Sequence, residues 1–321
     1  MRFLSVTILV LLCGAGCAPS FLVTPVQNVQ HVEEIKVQGG KFGGGKIALI
    51  EVEGLLANIR TGGVLQPQEN KLSLFTEQLA RAESDPKVKA VVLRINSPGG
   101  TVTCSDTMYD AVKRFRERTH TPVIASAQEV MASGAFYLAT SCDEIYAQPT
   151  SVVGSIGVII NTFAIDGTLA KLGVKNEVIK SGPMKDMGSP FKPLGNEERA
   201  VMQGLINEYY ARFVQVVQAK CHIDDQEKLK VATDGRVFSG RQAQGLGLID
   251  KLGTLEDAID RAKELGHAQN ATVVMYKRPY GYQGSIYASN NVPVPQGQTL
   301  NIPLPESSAF LPRGFYYLWE Q

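Results

Sequence analysis

The 321 residues of the chain, 44% hydrophobic and 20% charged, are enough for one large domain or two modest ones. A formal net charge of +1 removes the electrostatic case for nucleic acid as a partner. Five cysteines without CxxC or Cys/His spacing argue against a zinc site and against a disulfide framework, so neither metal nor cofactor is expected.

The first segment, "MRFLSVTILVLLCGAGC", has a basic Arg2, a short apolar run and small residues before Cys17. That is the layout of an export signal, and the run is shorter than the roughly 20 residues of a membrane span. "GAGC" resembles a bacterial lipobox, with Gly14 where Leu is usual. Residues 1–16 are therefore expected to be a signal peptide and Cys17 to carry lipid. An uncleaved anchor and ordinary secretion are the alternatives, and each puts the body outside the cytoplasm. Residues 17–45 read as a flexible tether. Within it, Gly40–Lys46 satisfies G-x-x-x-x-G-K, but Ile47 follows in place of Ser or Thr, and a strand rather than a helix comes next.

From Lys46 the pattern alternates. "KIALIEVEG" predicts a strand, "LSLFTEQLARAES" a helix, "VKAVVLRIN" a strand, "SDTMYDAVKRFRERT" a helix, and "PVIASAQE" a strand. "GAFYLATSC" follows as a helix, "EIYAQP" as a strand, "TFAIDGTLAKLG" as a helix and "NEVIKSG" as a strand. A long helix over about 197–220 aligns Met202, Leu205, Ile206, Tyr209, Phe213 and Val217 on one face, with Asn196 as its cap. "TLEDAIDRAKELG" is a helix capped by Thr254 and stopped by Gly266, and "ATVVMYKRP" is the last strand. Such alternation predicts an α/β fold with a largely parallel sheet, over residues 46–279. Residues 280–321 form a tail rich in Pro, Gly, Asn and Gln that ends in the aromatic "GFYYLWEQ", which is expected to dock.

The candidate chemistry begins at "VMASGAFYLA", where Ser133 precedes Gly134 at the start of a helix. A serine hydroxyl needs a base. His31, His120, His222 and His267 lie in peripheral segments, or at the wrong edge of the sheet for a Ser/His/Asp site. A lysine serves if desolvation brings it to roughly 7–8. Lys180 and Lys185, in the Gly/Pro-rich "IKSGPMKDMGSP", are equal candidates by composition. "RINSPGG" supplies Gly99 and Gly100 at a strand end, so backbone N–H groups of Gly100 and Gly134 can face one oxyanion.

"VVLRINSPGG", "VMASGAFYLA", "PTSVVGSIGVI", "IKSGPMKDMGSP" and "DGRVFSGRQAQGLGLIDKLGTLEDAI" resemble, in that order, the signature segments of the signal peptide peptidase A family of Ser/Lys peptidases, in its short, single-repeat form. The resemblance makes Ser133 the nucleophile and Lys185 the general base. It makes Gly100 and Gly134 the oxyanion hole and Ser155 the residue that orients the lysine. It implies a Clp protease/crotonase-like spiral of β-β-α units, a ring oligomer, commonly an octamer, and attachment to the bacterial cell membrane facing away from the cytoplasm. The implied substrates are apolar peptides such as cleaved signal peptides. Ala135 and Phe136 depart from the family's usual Gly and Tyr, which predicts altered substrate fit. The tail around Ala309–Leu311 is expected to reach a peptide groove. A membrane scaffold without catalysis and a crotonase-like acyl-CoA enzyme are the alternative functions.

Overall fold

A computed structural model describes residues 32–40, 43–61, 69–221, 223, 225–278 and 314–319. The expected signal segment, Cys17, His31, His222 and Ala309–Leu311 lie outside the described residues. In chain order the elements open with β1 (Glu33–Gln38), β2 (Lys46–Glu53), β3 (Arg60–Thr61), β4 (Glu69–Asn70) and α1 (Lys71–Ser84). Next come β5 (Val88–Ser97), β6 (Gly99–Thr101), α2 (Val102–Thr119), β7 (Val123–Ala132) and α3 (Gly134–Ala139). β8 (Glu144–Ala147), β9 (Val152–Gly154), α4 (Asp166–Lys171), α5 (Asn196–Lys220) and α6 (Gln226–Ala232) follow. The last are β10 (Val237–Ser239), α7 (Gly240–Leu246), β11 (Lys251–Leu252), α8 (Leu255–Leu265), β12 (Thr272–Lys277) and β13 (Tyr316–Leu318).

The main sheet runs β1-β12-β2-β5-β7-β8-β11, parallel along this order except for β1, which pairs antiparallel with β12; off it, β9 joins β7 in parallel and β10 joins β9 antiparallel. The central strands β2 and β5 are buried on both faces, as a parallel sheet requires. Alternation sorts the side chains: Ala48, Ile50, Val91, Leu93 and Ile95 join one core with α1, α2, α3 and α5, while Ile47, Leu49, Ala90 and Val92 pack against α8. α8 presents Leu255, Ala258, Ile259 and Ala262 to that face, the i, i+3, i+4, i+7 stripe of an amphipathic helix. At the ends of β2, β5 and β12, Arg94 pairs with the buried Glu51 and with Glu53, and Lys277 lies 3.3 Å from Glu51. Burial raises the Glu51 carboxyl and lowers the Lys277 amine, opposed in each case by the charges facing them.

β7 carries the chain to the candidate site, and it does so by changing partners. Its first half pairs with β8 and its second half, Val130–Ala132, with β9. The register with β5 slips between Ile95 and Ser97, and the Asn96 side-chain oxygen accepts the freed Val130 N–H at 3.1 Å. Beyond the slip, β5 is followed by β6, which lies in a separate two-stranded sheet with β13, and by α2, the order of one β-β-α unit.

Several expectations are corrected. β1 lies inside the stretch read as flexible tether; its exposed alternation, Glu-Glu-Ile-Lys-Val-Gln, is that of an edge strand rather than of a linker. "NEVIKSG" is not a strand, and among the described residues no strand pairs with it; the helix expected from Thr162 shortens to α4. The cap of α5 is Gly195, one residue before Asn196, with the Glu198 carboxylate accepting the Gly195 N–H at 3.2 Å. Cys104, Cys142 and Cys221 are buried free thiols; burial pushes Cys142 and Cys221 up to about 12 and Cys104 to about 11.

Candidate active site

Ser133 sits between the last residue of β7 and the first of α3, with φ +52° and ψ −118°. A non-glycine residue there is strained, and the fold maintains it by pairing. The Ser133 N–H donates to Gly154 O at 2.7 Å, extending the Ala132–Gly154 register of β7 and β9 by one residue. That sets Ser155 beside Ser133, also at positive φ (+53°), with its own N–H donating to Arg236 O at 2.8 Å. Ser133 is 1% exposed, and its Oγ has no hydrogen-bond partner among the described residues. A buried hydroxyl left in that state calls for an external reason.

Gly99, Gly100 and Gly134 converge on the same point. A Cβ on Gly100 would lie 1.9 Å from Leu56 O, so only glycine admits the parallel bridge between these residues. A Cβ on Gly134 would lie 2.3 Å from Ser105 Oγ and 3.1 Å from the Gly100 nitrogen. One on Gly99 would lie 2.6 Å from the Gly134 nitrogen. The two backbone nitrogens expected to bind an oxyanion are thus neighbours in space, although 34 positions apart in sequence.

Lys185 is not brought to Ser133 within the chain. It is exposed, in a run of turns, and no hydrogen bond reaches Ser133 Oγ from it. Residues 157–197 contain no buried residue, yet they display Phe163, Leu172, Val174, Val178, Ile179 and Phe191 to solvent. Ion pairs hold this arm together: Lys180 and Lys192 donate to Asp186 at 2.7 and 2.8 Å, and Lys192 also pairs with Glu198 of α5 at 2.5 Å. Hydrogen bonds from Lys180 and then Lys192 hold the Asp186 carboxyl down at about 2. Lys180, equal to Lys185 by composition, is therefore committed to Asp186.

The feature that residue reading left least defined is the last strand. β13 lies antiparallel to β6, pairing Tyr316 with Thr101, Tyr317 with Gly100 and Leu318 with Gly99. On its other edge Tyr316 and Ile159 exchange N–H···O bonds of 3.0 Å in both directions. Val102 N–H donates to Phe315 O and Trp319 N–H to Pro98 O, so the alternation of an antiparallel ladder makes Gly100 and Tyr317 the hydrogen-bonded pair between them. The expected docking of the aromatic end occurs, at 315–319.

Tyr317 is fully buried, stacked on Tyr137 with ring centroids 5.1 Å apart and tilted against Phe213 at 4.7 Å. Its hydroxyl donates to Tyr209 O at 2.8 Å. Tyr137 in turn donates to Asp106, and burial together with that carboxylate pushes its hydroxyl far above the usual phenol range. Ala135 and Phe136 are fully buried in the core, so the departures from the family pattern face inward, and it is Tyr137 that meets the strand.

Comparison with known proteins follows the same residues. The model of Peptidase family S49 matches residues 116–269, and that of Clp protease matches residues 55–153. The chain is 36% identical over 237 residues to "Putative protease MJ0651" of Methanocaldococcus jannaschii, covering 73% of this chain and 75% of that one. It is 34% identical over 252 residues to "Putative signal peptide peptidase SppA" of Enterococcus faecium, covering 78% and 73%. With "Protease 4" of Salmonella typhi it shares 34% identity over 224 residues, 69% of this chain but 35% of that longer one. The α/β sheet with its β-β-α units is of the Clp protease/crotonase type.

Proposed function

This chain belongs to peptidase family S49, the signal peptide peptidase A family, and on that premise we propose that Ser133 is its nucleophile and Lys185 its general base. It is a serine peptidase. The observation that carries the assignment is the buried, unpartnered Oγ of Ser133, held at positive φ beside three glycines whose backbones leave no room for a side chain.

In the reaction, neutral Lys185 takes the Ser133 proton, and the alkoxide attacks a peptide carbonyl. The N–H groups of Gly100 and Gly134 hold the oxyanion. The ammonium then protonates the leaving amine, and water repeats the sequence on the acyl-enzyme. Ser155, adjacent to Ser133 through the β7–β9 register, orients the lysine amine.

The lysine comes from a neighbouring copy. An arm of about forty residues without a core, carrying seven large exposed apolar side chains, needs a surface to lie on, and Lys185 rides on it. A head-to-tail ring, an octamer in this reading, satisfies every arm and every serine. The enzyme is anchored by lipid on Cys17 to the bacterial cell membrane, on the side away from the cytoplasm, and degrades apolar peptides such as cleaved signal peptides. The apolar hollow lined by Leu55, Ala57, Ile59, Val102 and Phe315, continuous with β13, supports that substrate class. Among the described residues no helix is long and apolar enough to cross a membrane.

The test is turnover of a fluorogenic apolar peptide by the chain and by Ser133→Ala and Lys185→Ala. Both substitutions abolish turnover in folded protein. Full activity in either variant contradicts the dyad.

A further inference from the structure

We propose that Asn96 and Ser97 are positioning residues for the reaction, two adjacent side chains of β5 that fix where the nucleophile stands relative to its oxyanion donors. The inference rests on the Ser133 assignment and deepens it. Each side chain acts through a stretch of backbone that leads to the site, and alternation along the strand sends the two to opposite faces.

Ser97 governs the oxyanion side. It is fully buried at the turn between β5 and β6, where its Oγ accepts the Gly99 N–H at 3.1 Å and donates to Gly54 O at 2.6 Å. Pro98 has no N–H, so Gly99 carries the first donor of the turn, and Ser97 takes it. Gly99 is thereby pinned at φ +100°. Just beyond, Leu56 N–H donates to Gly99 O and Thr101 N–H to Leu56 O, each at 2.8 Å. A parallel bridge built from those two bonds turns the Gly100 N–H to the opposite edge, away from Leu56. Loss of the Ser97 hydroxyl would leave the buried Gly99 N–H without its partner and free the Gly99–Gly100 backbone to shift.

Asn96 governs the nucleophile side. The pair Ile95–Ala127 is followed by Ser97–Met131, so three residues of β7, Gln128–Val130, lie opposite the single Asn96. In that bulge the Asn96 side-chain oxygen accepts the Val130 N–H at 3.1 Å, standing in for a ladder carbonyl. The strands close again at Met131, two residues before Ser133, as β7 takes up β9. The amide thus sets how far β7 travels before it turns into α3.

Both tethers are referred to one point at the end of β2. Gly54 O receives the Ser97 hydroxyl, and the Gly54 N–H donates to Asn96 O at 3.0 Å. A displaced oxyanion donor costs less than a deleted one, yet about 1 Å of misplacement can still cost roughly a hundredfold in rate.

The test uses the full chain, a fluorogenic apolar peptide and two ligands. One is a peptide aldehyde, whose Ser133 adduct sets its oxygen against the Gly100 and Gly134 N–H groups; the other is the matching peptide alcohol, which forms no adduct. Ser97→Ala and Asn96→Leu should each lower kcat by roughly ten- to a hundredfold and weaken the aldehyde by the same factor, with KM and the affinity for the alcohol held within about twofold. Ser97→Thr keeps the hydroxyl and Asn96→Asp keeps the acceptor, so each should retain most of the parent's kcat. Parental kcat in Ser97→Ala and Asn96→Leu, equal weakening of aldehyde and alcohol, or no rescue by the conservative variants would each overturn the inference while sparing the dyad. If Ser97→Ala does not fold, the two Asn96 variants carry the same comparison. Labelling of the parent at Ser133 by a serine-reactive phosphonate reports on the nucleophile separately; its absence overturns the Ser133 assignment and the inference with it.

Discussion

The two halves of the proposed dyad stand on opposite kinds of structure. Ser133 ends a strand buried on both faces, and its neighbours Ala132, Gly134, Ala135 and Phe136 have no measurable exposure or nearly none. Lys185 stands on residues 157–197, none of them buried. The first region is fixed by its own packing, so its chemistry is set once the chain folds. The second is held by the pairings of Asp186, the short α4, a few turns and the Ile159–Tyr316 bridge, and it leaves its apolar side chains facing solvent. On the reading proposed above, catalysis is switched on by assembly rather than by folding.

The sharpest way to break this contrast is complementation. Ser133→Ala and Lys185→Ala each lose about a thousandfold or more in turnover. When the two inactive chains are assembled together, about a quarter of the sites regain an intact pair, given random heterologous contacts around a ring. Assays of co-refolded mixtures decide it; no recovery at any ratio would place both groups in one chain. Next in size, Gly134→Ala crowds Ser105 Oγ at 2.3 Å and disturbs one oxyanion donor, with an expected fall in kcat of about a hundredfold and little change in association.

The energetic side of the contrast is read by paired substitutions. Ile95→Ala in the core costs about 2–5 kcal/mol of stability, whereas Leu172→Ala on the arm stays within about 0.5 kcal/mol. The arm variant should instead weaken association, seen by sedimentation alongside denaturant melts. Removing residues 293–321 frees β6 and Ile159 from β13, so the concentration needed for half-maximal peptide turnover should drop several-fold. Unchanged turnover would show that the tail does not compete with substrate.

The smallest effect is acid sensitivity of the arm. Asp186 is held at about 2, below the ordinary 3.8, so its contribution is fully present above about pH 4 and disappears as pH falls through 2. Protection of the arm's amides, relative to their intrinsic exchange rates, should therefore be unchanged from neutral pH to about pH 4, and lower in Asp186→Asn across that range.

Much of this was legible in the sequence, because the parallel sheet writes itself as short apolar runs. "VKAVVLRIN" and "KIALIEVEG" became β5 and β2, and Ser133, Gly134 and Gly100 met where their motifs suggested. The failures have a common cause. "NEVIKSG" has the composition of a strand, but a strand exists only beside a partner, and among the described residues this segment pairs with none. β1 and β13 fail in the opposite sense: their own patterns are weak, and pairing with β12 and β6 makes them strands. Tyr137 and Phe213 were visible only as helix residues, since nothing local reveals that they pack on Tyr317.

The edge strand β1 also ties the chain to itself across its length. Five register pairs stitch Glu33–Gln38 to Val273–Lys277, joining the first strand described to the last strand of the main sheet. Contacts so distant in sequence close late in folding, after the strands between them are laid down. A single cut that released β1 would leave β12 as a bare sheet edge, ready to pair with any other extended segment.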